Sequence, residues 1–209
     1  NLTIIDDAVK MIQRQNPDFC IENIPTDSPE VYDMMSQGNS EGVFQFESAG
    51  MKRVLMNLRP EGLEDLIAVI SLYRPGPMDS IPRYIHNRHH PQEVRYAHPL
   101  LKPILQVTYG CIVYQEQVMQ IFRQLAGYSL GRADVVRRAM SKKKHDVMQM
   151  EREIFIHGLT DDKGNIQVDG CIRRGVPQKT AEAIFDEMSS FASYAFNKSH
   201  ACAYAVVAY

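Results

Sequence analysis

Apolar residues recur at helical spacing in a series of short segments, and glycine or proline ends most of these segments. In the first segment the apolar residues are Ile4, Ile5, Ala8, Val9, Met11 and Ile12, and Asn16-Pro17 follows them. A repeat near 3.6 residues predicts amphipathic helices, and glycine and proline mark where such helices stop. We therefore predict a mainly α protein, an irregular multi-helix domain with short β segments.

Start and stop signals predict where the other helices lie. Ser28 before Pro29, and Ser48 before an apolar repeat that runs to Leu58, are predicted N-caps. Further helices are expected at about 63–72, 114–126, 129–140, 147–156 and 177–191, with a last helix that Asn197 or Ser199 caps. The remaining segments are predicted as a short strand at 43–46, loops and short helices at 79–103, and a hairpin-like excursion at 161–170.

The chain of 209 residues, of which 44% are apolar, is long enough to bury a core. Its formal net charge of −2 means that any contact with nucleic acid must come from local basic clusters. The four cysteines form no CxxC pair, and no segment has the pattern of a signal peptide or a membrane span. We therefore expect reduced thiols and a cytoplasmic protein. Because the chain starts without Met and stops inside an apolar stretch, we also expect an excised segment.

The highest local density of charge lies between Arg132 and Lys144, where six basic residues accompany one acid, Asp134. The basic residues are Arg132, Arg137, Arg138, Lys142, Lys143 and Lys144. Such clusters bind polyphosphates and nucleic-acid backbones, because each cation neutralises a phosphate and arginine adds bidentate hydrogen bonds. The alternative is a solvated helix end, since cations also suit the negative end of a helix dipole. The residues alone leave both interpretations open.

Aromatic, amide, hydroxyl and basic side chains crowd together at 191–200, directly before a predicted helix N-terminus. Helix N-termini bind phosphate. Tyr194 or Phe196 can offer a flat face to a base or a sugar. The candidate donors to phosphate oxygens are Lys198, Ser199 and His200. The alternative is an aromatic plug in which Asn197 or Ser199 only caps the helix.

Four histidines share the proline-rich stretch: His86, His89, His90 and His98. A metal site is not expected there, because we expect no Cys, Asp or Glu at ligand spacing with these histidines and because arginines lie close by. Solvated loop histidines, or weak phosphate contacts, are the preferred interpretation. The sequence also contains no GxSxG motif and no GxxxxGK[ST] or GxGxxG phosphate loop. No catalytic residue and no metal ligand are therefore predicted.

Five motifs follow one another along nearly the whole chain. They are GVFQFESAGM at 42–51, LYRPGP at 72–77, YGCIVYQEQVM at 109–119, RRAMSKKK at 137–144 and FNKSHA at 196–201. In this order they resemble the DnaE-type alpha subunits of bacterial DNA polymerase III. Several ordered motifs are far more specific than any one of them.

The resemblance implies the fingers domain of a C-family polymerase. Residues 1–41 would be an N-terminal helical segment that follows the palm, and 42–209 the fingers core, truncated at its C-terminus. The parent would be a DNA-directed DNA polymerase, a nucleotidyltransferase whose palm carboxylates hold two Mg²⁺ ions. Without the palm, the segment alone is expected to be non-catalytic. The implied partners are the DNA primer-template, deoxynucleoside triphosphates and, through regions outside this segment, other subunits of the polymerase III holoenzyme.

The resemblance also implies roles for particular residues. Arg137 and Arg138 would bind the triphosphate of the incoming nucleotide. The implied pocket residues are Tyr194, Asn197, Ser199 and His200, with Lys198 as a weaker member. The implied contacts to DNA or phosphate are Lys142, Lys143, Lys144 and Arg132. Arg74 can instead be structural and bond the carbonyls of the turn that precedes Pro-Gly-Pro.

Two other functions remain open from the sequence. A free-standing helical nucleic-acid-binding module would need natural termini, and the chain ends argue against it. An independent small-molecule enzyme would use the histidine-rich stretch or residues 194–200, but no paired nucleophile and base is present. The polymerase hypothesis instead predicts nucleotide or DNA binding by this segment without turnover.

Overall fold

The computed structural model describes residues 1–142, 145–192 and 194–209. These residues form eleven α-helices, several short 3-10 helices and one two-stranded antiparallel sheet, so the mainly α prediction is confirmed. The helices and strands are α1 (Leu2–Gln13), α2 (Pro29–Ser36), α3 (Ala49–Leu58), α4 (Leu63–Leu72), α5 (Ile81–His89), α6 (Lys102–Leu105), α7 (Gln115–Ala126), α8 (Leu130–Ser141), α9 (His145–His157), β1 (Leu159–Thr160), β2 (Ile166–Val168), α10 (Gln178–Ala192) and α11 (Lys198–Ala208).

The chain divides into two compact units. The first unit comprises residues 1–70 and 199–209, and the second unit comprises residues 71–198. This division follows packing, and the boundary at 41/42 that the family resemblance implies stays a prediction. None of the helices among the described residues is long and apolar enough to cross a membrane.

Local sequence signals set most of the helix ends. Ser48 precedes α3, and its hydroxyl accepts a hydrogen bond from the Met51 N–H at 3.2 Å, as a predicted N-cap should. Ser28 precedes α2 with Pro29 at the first helical position, although its hydroxyl donates to the Glu30 carboxylate at 2.6 Å. At the other end of a helix, Gly127 adopts a φ of +78° and ends α7.

The strand predicted at 43–46 is wrong. These residues form a turn in which the Phe46 N–H donates to the Val43 carbonyl at 3.0 Å. Gln45 has a φ of +70°, which is incompatible with an extended strand. The turn buries Phe46 completely in the first unit, where its carbonyl accepts a hydrogen bond from the Ser40 hydroxyl at 2.7 Å. The alternation of apolar and polar residues at 43–46 thus reflects the burial of Phe46 within a turn, not a strand.

In the first unit, α1 forms where the apolar repeat predicts a helix, but none of its residues is buried. Leu2, Ile4 and Met11 are each more than 60% exposed. The core of this unit is instead built around α2, α3 and α4, with Met35, Leu55 and Leu66 fully buried. Amphipathic spacing therefore predicted the conformation of α1 correctly without predicting what covers its apolar face.

The second unit has an aromatic core. Phe122 on α7 is fully buried, and its ring centroid lies 5.1 Å from that of Tyr128, 5.3 Å from that of Phe155 and 6.2 Å from that of Phe185. Several of these rings meet edge to face, an arrangement that adds favourable quadrupole contacts to the burial of apolar area. Helices α7, α8, α9 and α10 pack together around this cluster. The core fixes α7, on which the candidate site depends.

The predicted hairpin at 161–170 is confirmed, because β1 pairs antiparallel with β2. At its tip the Asp161 carboxylate accepts hydrogen bonds from the backbone N–H groups of Lys163 and Asn165, at 3.0 and 2.8 Å. At its base Gly158 and Gly170 both have positive φ, and their backbones touch. A side chain at either glycine would collide with the opposite backbone.

The cysteines differ in burial, and their reactivity should differ with it. All four are free thiols; Cys20 is exposed, whereas Cys111 and Cys171 are buried. Burial raises the pKa of Cys111 to about 11 and that of Cys171 to about 12, which leaves little thiolate near neutral pH. We predict that a thiol reagent at about pH 8 labels Cys20 quickly, and the two buried cysteines only after denaturation. Mass spectrometry of labelled peptides measures this, and fast labelling of native Cys171 would contradict it.

Candidate nucleotide-binding site

Residues 194–198, here called the pocket segment, connect α10 to the start of α11 and hydrogen bond with the residues that lead into α7. The Phe196 N–H donates to the Val113 carbonyl at 3.2 Å, and the Gln115 N–H donates to the Phe196 carbonyl at 2.9 Å. Tyr114 and Phe196 therefore form a short parallel bridge. The Gln115 side chain adds a bond to the Ala195 carbonyl at 3.0 Å. The pocket segment is thus fastened to the N-terminal end of α7.

The Glu116 carboxylate continues this attachment. It accepts hydrogen bonds from the Lys198 N–H, at 3.2 Å to each oxygen, and from the Asn197 side-chain amide at 3.0 Å. Lys198 is the first residue of α11, so a carboxylate more than 80 positions earlier in the chain satisfies a backbone donor at the positive end of this helix. Asn197 directly precedes the helix, as predicted. The sequence did not predict that the Glu116 carboxylate accepts hydrogen bonds from Asn197 and Lys198.

Buried polar groups hold residues 113 and 114 in place beneath the pocket segment. The Gln117 side-chain oxygen accepts the N–H groups of Val113 and Tyr114, at 2.8 and 3.0 Å. The Gln117 amide in turn donates to the Thr108 hydroxyl at 2.7 Å. Both Gln117 and Thr108 are buried, and a buried network of this kind is rigid when its groups are satisfied. Three successive polar residues of the 109–119 motif therefore hold the pocket segment. Gln115 and Glu116 bond with it directly, and Gln117 bonds with the residues to which it is attached.

Arg74 also contacts the pocket segment. Its Nη2 donates to the Tyr194 carbonyl at 2.6 Å, and its Nε donates to the Ser71 carbonyl at 3.0 Å. Its guanidinium carbon lies 4.3 Å from the centre of the Phe196 ring, within the range of a cation–π contact. Arg74 thus bonds the carbonyl of Ser71, which lies in α4 rather than in the Pro-Gly-Pro turn, and it also contacts the pocket segment.

The turn after Arg74 fits closely against Tyr194. Gly76 has a φ of +99°, and a Cβ atom built there would lie 2.5 to 2.9 Å from three carbons of the Tyr194 ring. Glycine is needed at this position both for its backbone conformation and for the space that the ring occupies. Tyr194 as a whole residue is nevertheless 39% exposed, so part of it is accessible to a ligand.

The remaining members of the 194–200 group have distinct surroundings. In the second unit, the Lys198 ammonium lies 5.4 Å from the centre of the Tyr114 ring. In the first unit, Ser199 and His200 belong to the first turn of α11, and the His200 ring centroid lies 4.4 Å from that of Tyr204. Tyr204 also contacts Phe44, with ring centroids 5.2 Å apart, so His200 belongs to an aromatic group that includes a residue of the 42–51 motif.

The two adjacent arginines on α8 share one carboxylate but differ in exposure. The Arg137 Nη2 lies 2.8 Å from Oδ1 of Asp134, and the Arg138 Nη2 lies 2.7 Å from Oδ2. The Arg137 side chain is 14% exposed, whereas that of Arg138 is 66% exposed. Hydrogen bonding from Arg137, aided by the charges of both arginines, holds the pKa of Asp134 below its usual range. Of the pair, Arg138 is therefore the more accessible to a ligand in solvent.

Arg132 lies in a different environment from the arginine pair. Its Nη2 forms an ion pair with the buried Glu151 carboxylate at 2.8 Å, and its guanidinium lies 5.3 Å from the centre of the Tyr128 ring. The Tyr128 hydroxyl donates to the same carboxylate at 2.9 Å, and burial together with the Glu151 charge raises the pKa of Tyr128. A phosphate contact by Arg132 stays a prediction. Lys142 is exposed at the C-terminal cap of α8, and Lys143 and Lys144 lie outside the described residues.

Contrary to the expectation from the sequence, a carboxylate does accompany the histidines of the proline-rich stretch. Glu93 lies 3.2 Å from Nε2 of His86 and 3.9 Å from Nδ1 of His90, and all three side chains are about half exposed. Across the part of the chain that the structure describes, no group of three or more His, Cys, Asp or Glu residues is arranged to hold a metal ion.

Gln115, Glu116 and Gln117 were the site residues that sequence reasoning missed. The available signal was their position in the 109–119 motif. Because they lie at the start of a helix, their near neighbours in the sequence suggest only a capping role. Their partners lie about 80 residues further along the chain, in the 196–201 motif. The 72–77 motif reaches the same place through Arg74 and Gly76. Three of the five motifs therefore meet at the pocket segment in the second unit.

Known proteins resemble this chain along its whole length. The model of the family described as "Bacterial DNA polymerase III alpha subunit finger domain" matches residues 1–163. Curated proteins named DNA polymerase III subunit alpha match all of this chain, at 46% identity in Thermus aquaticus, 45% in Staphylococcus epidermidis and 44% in Borreliella burgdorferi. The chain spans 17 to 19% of the length of these relatives. The chain belongs to the finger domain family of bacterial DNA polymerase III alpha subunits.

Proposed function

We propose that this chain is the part of a replicative DNA-directed DNA polymerase that binds the incoming deoxynucleoside triphosphate and contacts the primer-template. The observation that carries the proposal is the pocket segment, which hydrogen bonds with Arg74, Gln115 and Glu116. A segment held in this way presents Tyr194 and Asn197 in a fixed geometry. Fixed geometry is the main contribution that a protein makes to phosphoryl transfer.

Arg137 and Arg138 are proposed to bind the triphosphate. Asp134 already holds both guanidinium groups close together, and its single charge is smaller than that of a triphosphate. A triphosphate at this position can therefore compete for Arg138, whose side chain is largely exposed. Arg137, which is more buried, is expected to contribute mainly by keeping Asp134 and the α8 surface in place.

The other contacts follow the family resemblance. The residues proposed to contact the nucleotide are Tyr194, Asn197, Ser199 and His200, with Lys198 as a weaker member. Lys142, Lys143, Lys144 and Arg132 are proposed to contact DNA or phosphate. Other subunits of the holoenzyme would bind regions of the parent protein outside this chain, and the parent protein is proposed to act in the cytoplasm. The division into a segment at 1–41 and a fingers core at 42–209 belongs to the same proposal.

The metal chemistry is assigned to the palm of the parent protein. Among the described residues of this chain, no group of three or more His, Cys, Asp or Glu residues is arranged to hold a metal ion. When bound to palm carboxylates, Mg²⁺ would activate the primer 3′-hydroxyl and neutralise the leaving pyrophosphate. The role that this leaves for the chain is to bind and orient substrates, and we propose that the chain alone does not extend a primer.

Single-nucleotide incorporation by the full-length polymerase tests the assignment of Arg138. Replacing Arg138 with Ala is expected to raise the KM for the nucleotide about tenfold, because one charge-assisted hydrogen bond to phosphate is lost. Arg83→Ala is the matched control, since Arg83 is also more than half exposed and also forms an ion pair with a carboxylate, that of Glu187. The control should stay within about twofold of the unaltered enzyme.

Two results would count against the proposal. If Arg138→Ala and Arg83→Ala give the same KM as the unaltered polymerase, Arg138 is surface charge and the triphosphate assignment is wrong. If the chain alone extends a primer, the metal-binding carboxylates are not confined to the palm.

A further inference from the structure

We infer that Arg74 is a positioning residue of the nucleotide pocket, which fixes the pocket segment in the conformation that presents Tyr194 and Asn197. The inference rests on the proposed function, because it concerns the same pocket. It adds a residue to which the family resemblance gave no role in the pocket and whose structural alternative was a bond to turn carbonyls.

The guanidinium of Arg74 makes three contacts at once. Nη2 binds the Tyr194 carbonyl, Nε binds the Ser71 carbonyl, and the face of the group lies over the Phe196 ring. The planar fork of arginine suits this combination, since its edge donates hydrogen bonds while its face stacks. A lysine ammonium at the same place could not donate to both carbonyls and cover the ring.

Arg74 is itself held by the turn in which it lies. Its N–H donates to the Leu72 carbonyl at 2.8 Å, and its carbonyl accepts a hydrogen bond from the Met78 N–H at 3.1 Å. The turn continues through Gly76, against which the Tyr194 ring packs. Tyr194 is thus contacted twice by one short turn, at its carbonyl by Arg74 and at its ring by Gly76. A rigid turn therefore defines where this residue lies.

Different residues of the pocket segment form hydrogen bonds with different parts of the second unit. Residues 195–198 bond with Gln115, Glu116 and the Val113 carbonyl, while the Tyr194 carbonyl bonds with Arg74. Removing the Arg74 side chain should therefore loosen the Tyr194 end and uncover the Phe196 ring, while the bonds to Glu116 persist. We expect such a local loosening to weaken nucleotide binding while leaving the fold of the second unit largely unchanged.

Arg74 is half-buried, and this burial lowers the pKa of its guanidinium. Among the residues that the structure describes, no carboxylate forms an ion pair with it. A direct charge contact with the nucleotide is thus the competing explanation for any effect of its removal. The Arg74→Lys variant separates the two explanations, because it keeps the positive charge but loses the planar guanidinium that donates to both carbonyls.

The test uses the full-length polymerase with Arg74→Ala, Arg74→Lys, Arg138→Ala and the control Arg83→Ala. The first measurement is kcat and KM for dATP incorporation opposite a template T. The second is hydrogen–deuterium exchange, without nucleotide, of the backbone amides of Tyr194 and Ala195, which both donate to the Phe191 carbonyl. We expect both Arg74 variants to raise KM about tenfold, to change kcat by less than about threefold, and to speed exchange at these amides at least about tenfold.

The outcomes separate this inference from the proposed function. Unaltered exchange in Arg74→Ala, or the KM of the unaltered enzyme in Arg74→Lys, would overturn the positioning role. The exchange measurement needs no nucleotide, so it decides whether Arg74 holds the pocket segment even if Arg138→Ala shows the triphosphate assignment to be wrong. Faster exchange together with a raised KM in both Arg74 variants supports the inference.

Discussion

Gly76→Ala in the full-length polymerase is expected to lower kcat/KM for nucleotide incorporation about 100-fold. The new Cβ would lie within 2.9 Å of the Tyr194 ring, and a φ of +99° strains any residue other than glycine. The backbone strain is relieved only if the turn changes conformation, and the collision only if the turn or the Tyr194 ring moves. Because this turn also carries Arg74, the pocket segment would move with it. Steady-state incorporation of a single nucleotide measures the effect.

Gly62→Ala is the control for Gly76→Ala. A Cβ at Gly62 meets no atom within 4 Å, and Gly62 does not have a positive φ. This variant should keep kcat/KM within about twofold. If Gly76→Ala incorporates nucleotides as well as Gly62→Ala does, the close fit between the turn and Tyr194 has no part in nucleotide binding.

Gly170→Ala is expected to lower the free energy of unfolding of the chain by about 3 to 4 kcal/mol. A Cβ at Gly170 would lie 2.3 Å from the backbone nitrogen of Gly158 and 2.5 Å from the carbonyl carbon of His157, and backbone atoms cannot rotate away. The strands would have to separate. That movement would strain the bond from the Gly170 N–H to the Ala126 carbonyl and the bond from the Cys171 N–H to the Phe155 carbonyl.

Gly164→Ala isolates the backbone strain from the collision. Gly164 lies in the same hairpin with a φ of +83°, but a Cβ there meets nothing within 4 Å. Its cost should be about 1 kcal/mol, the penalty for a left-handed residue that carries a side chain. Urea denaturation of the two variants compares the free energies. Equal losses in both would mean that the base of the hairpin can open without cost.

Most helices were predictable because the information about them is local. Apolar spacing, the Ser48 cap and the stop at Gly127 act within a few residues of the helix end that they determine. The strand prediction at 43–46 failed because alternation is also compatible with a turn. The decisive fact there is the left-handed backbone of Gln45. Glutamine seldom adopts this conformation, so the residue type alone does not predict it.

The site was less predictable, because its contacts join distant parts of the chain. Neither the acceptor that Glu116 provides for Lys198 nor the bond of Arg74 to Tyr194 has a short-range signal. By contrast, helical geometry alone separates Arg137 from Arg138. Consecutive residues on a helix point about 100° apart, so two adjacent side chains cannot have the same surroundings.

The attachment of the pocket segment to α7 has a mechanical consequence. Hydrogen bonds tie residues 195–198 to the first turn of a helix whose far side is anchored by Phe122 in the aromatic core. We therefore expect the segment and the helix to shift together. Substitutions in that core are then expected to displace the pocket segment, and with it the proposed nucleotide contacts, although no core residue contacts the nucleotide itself.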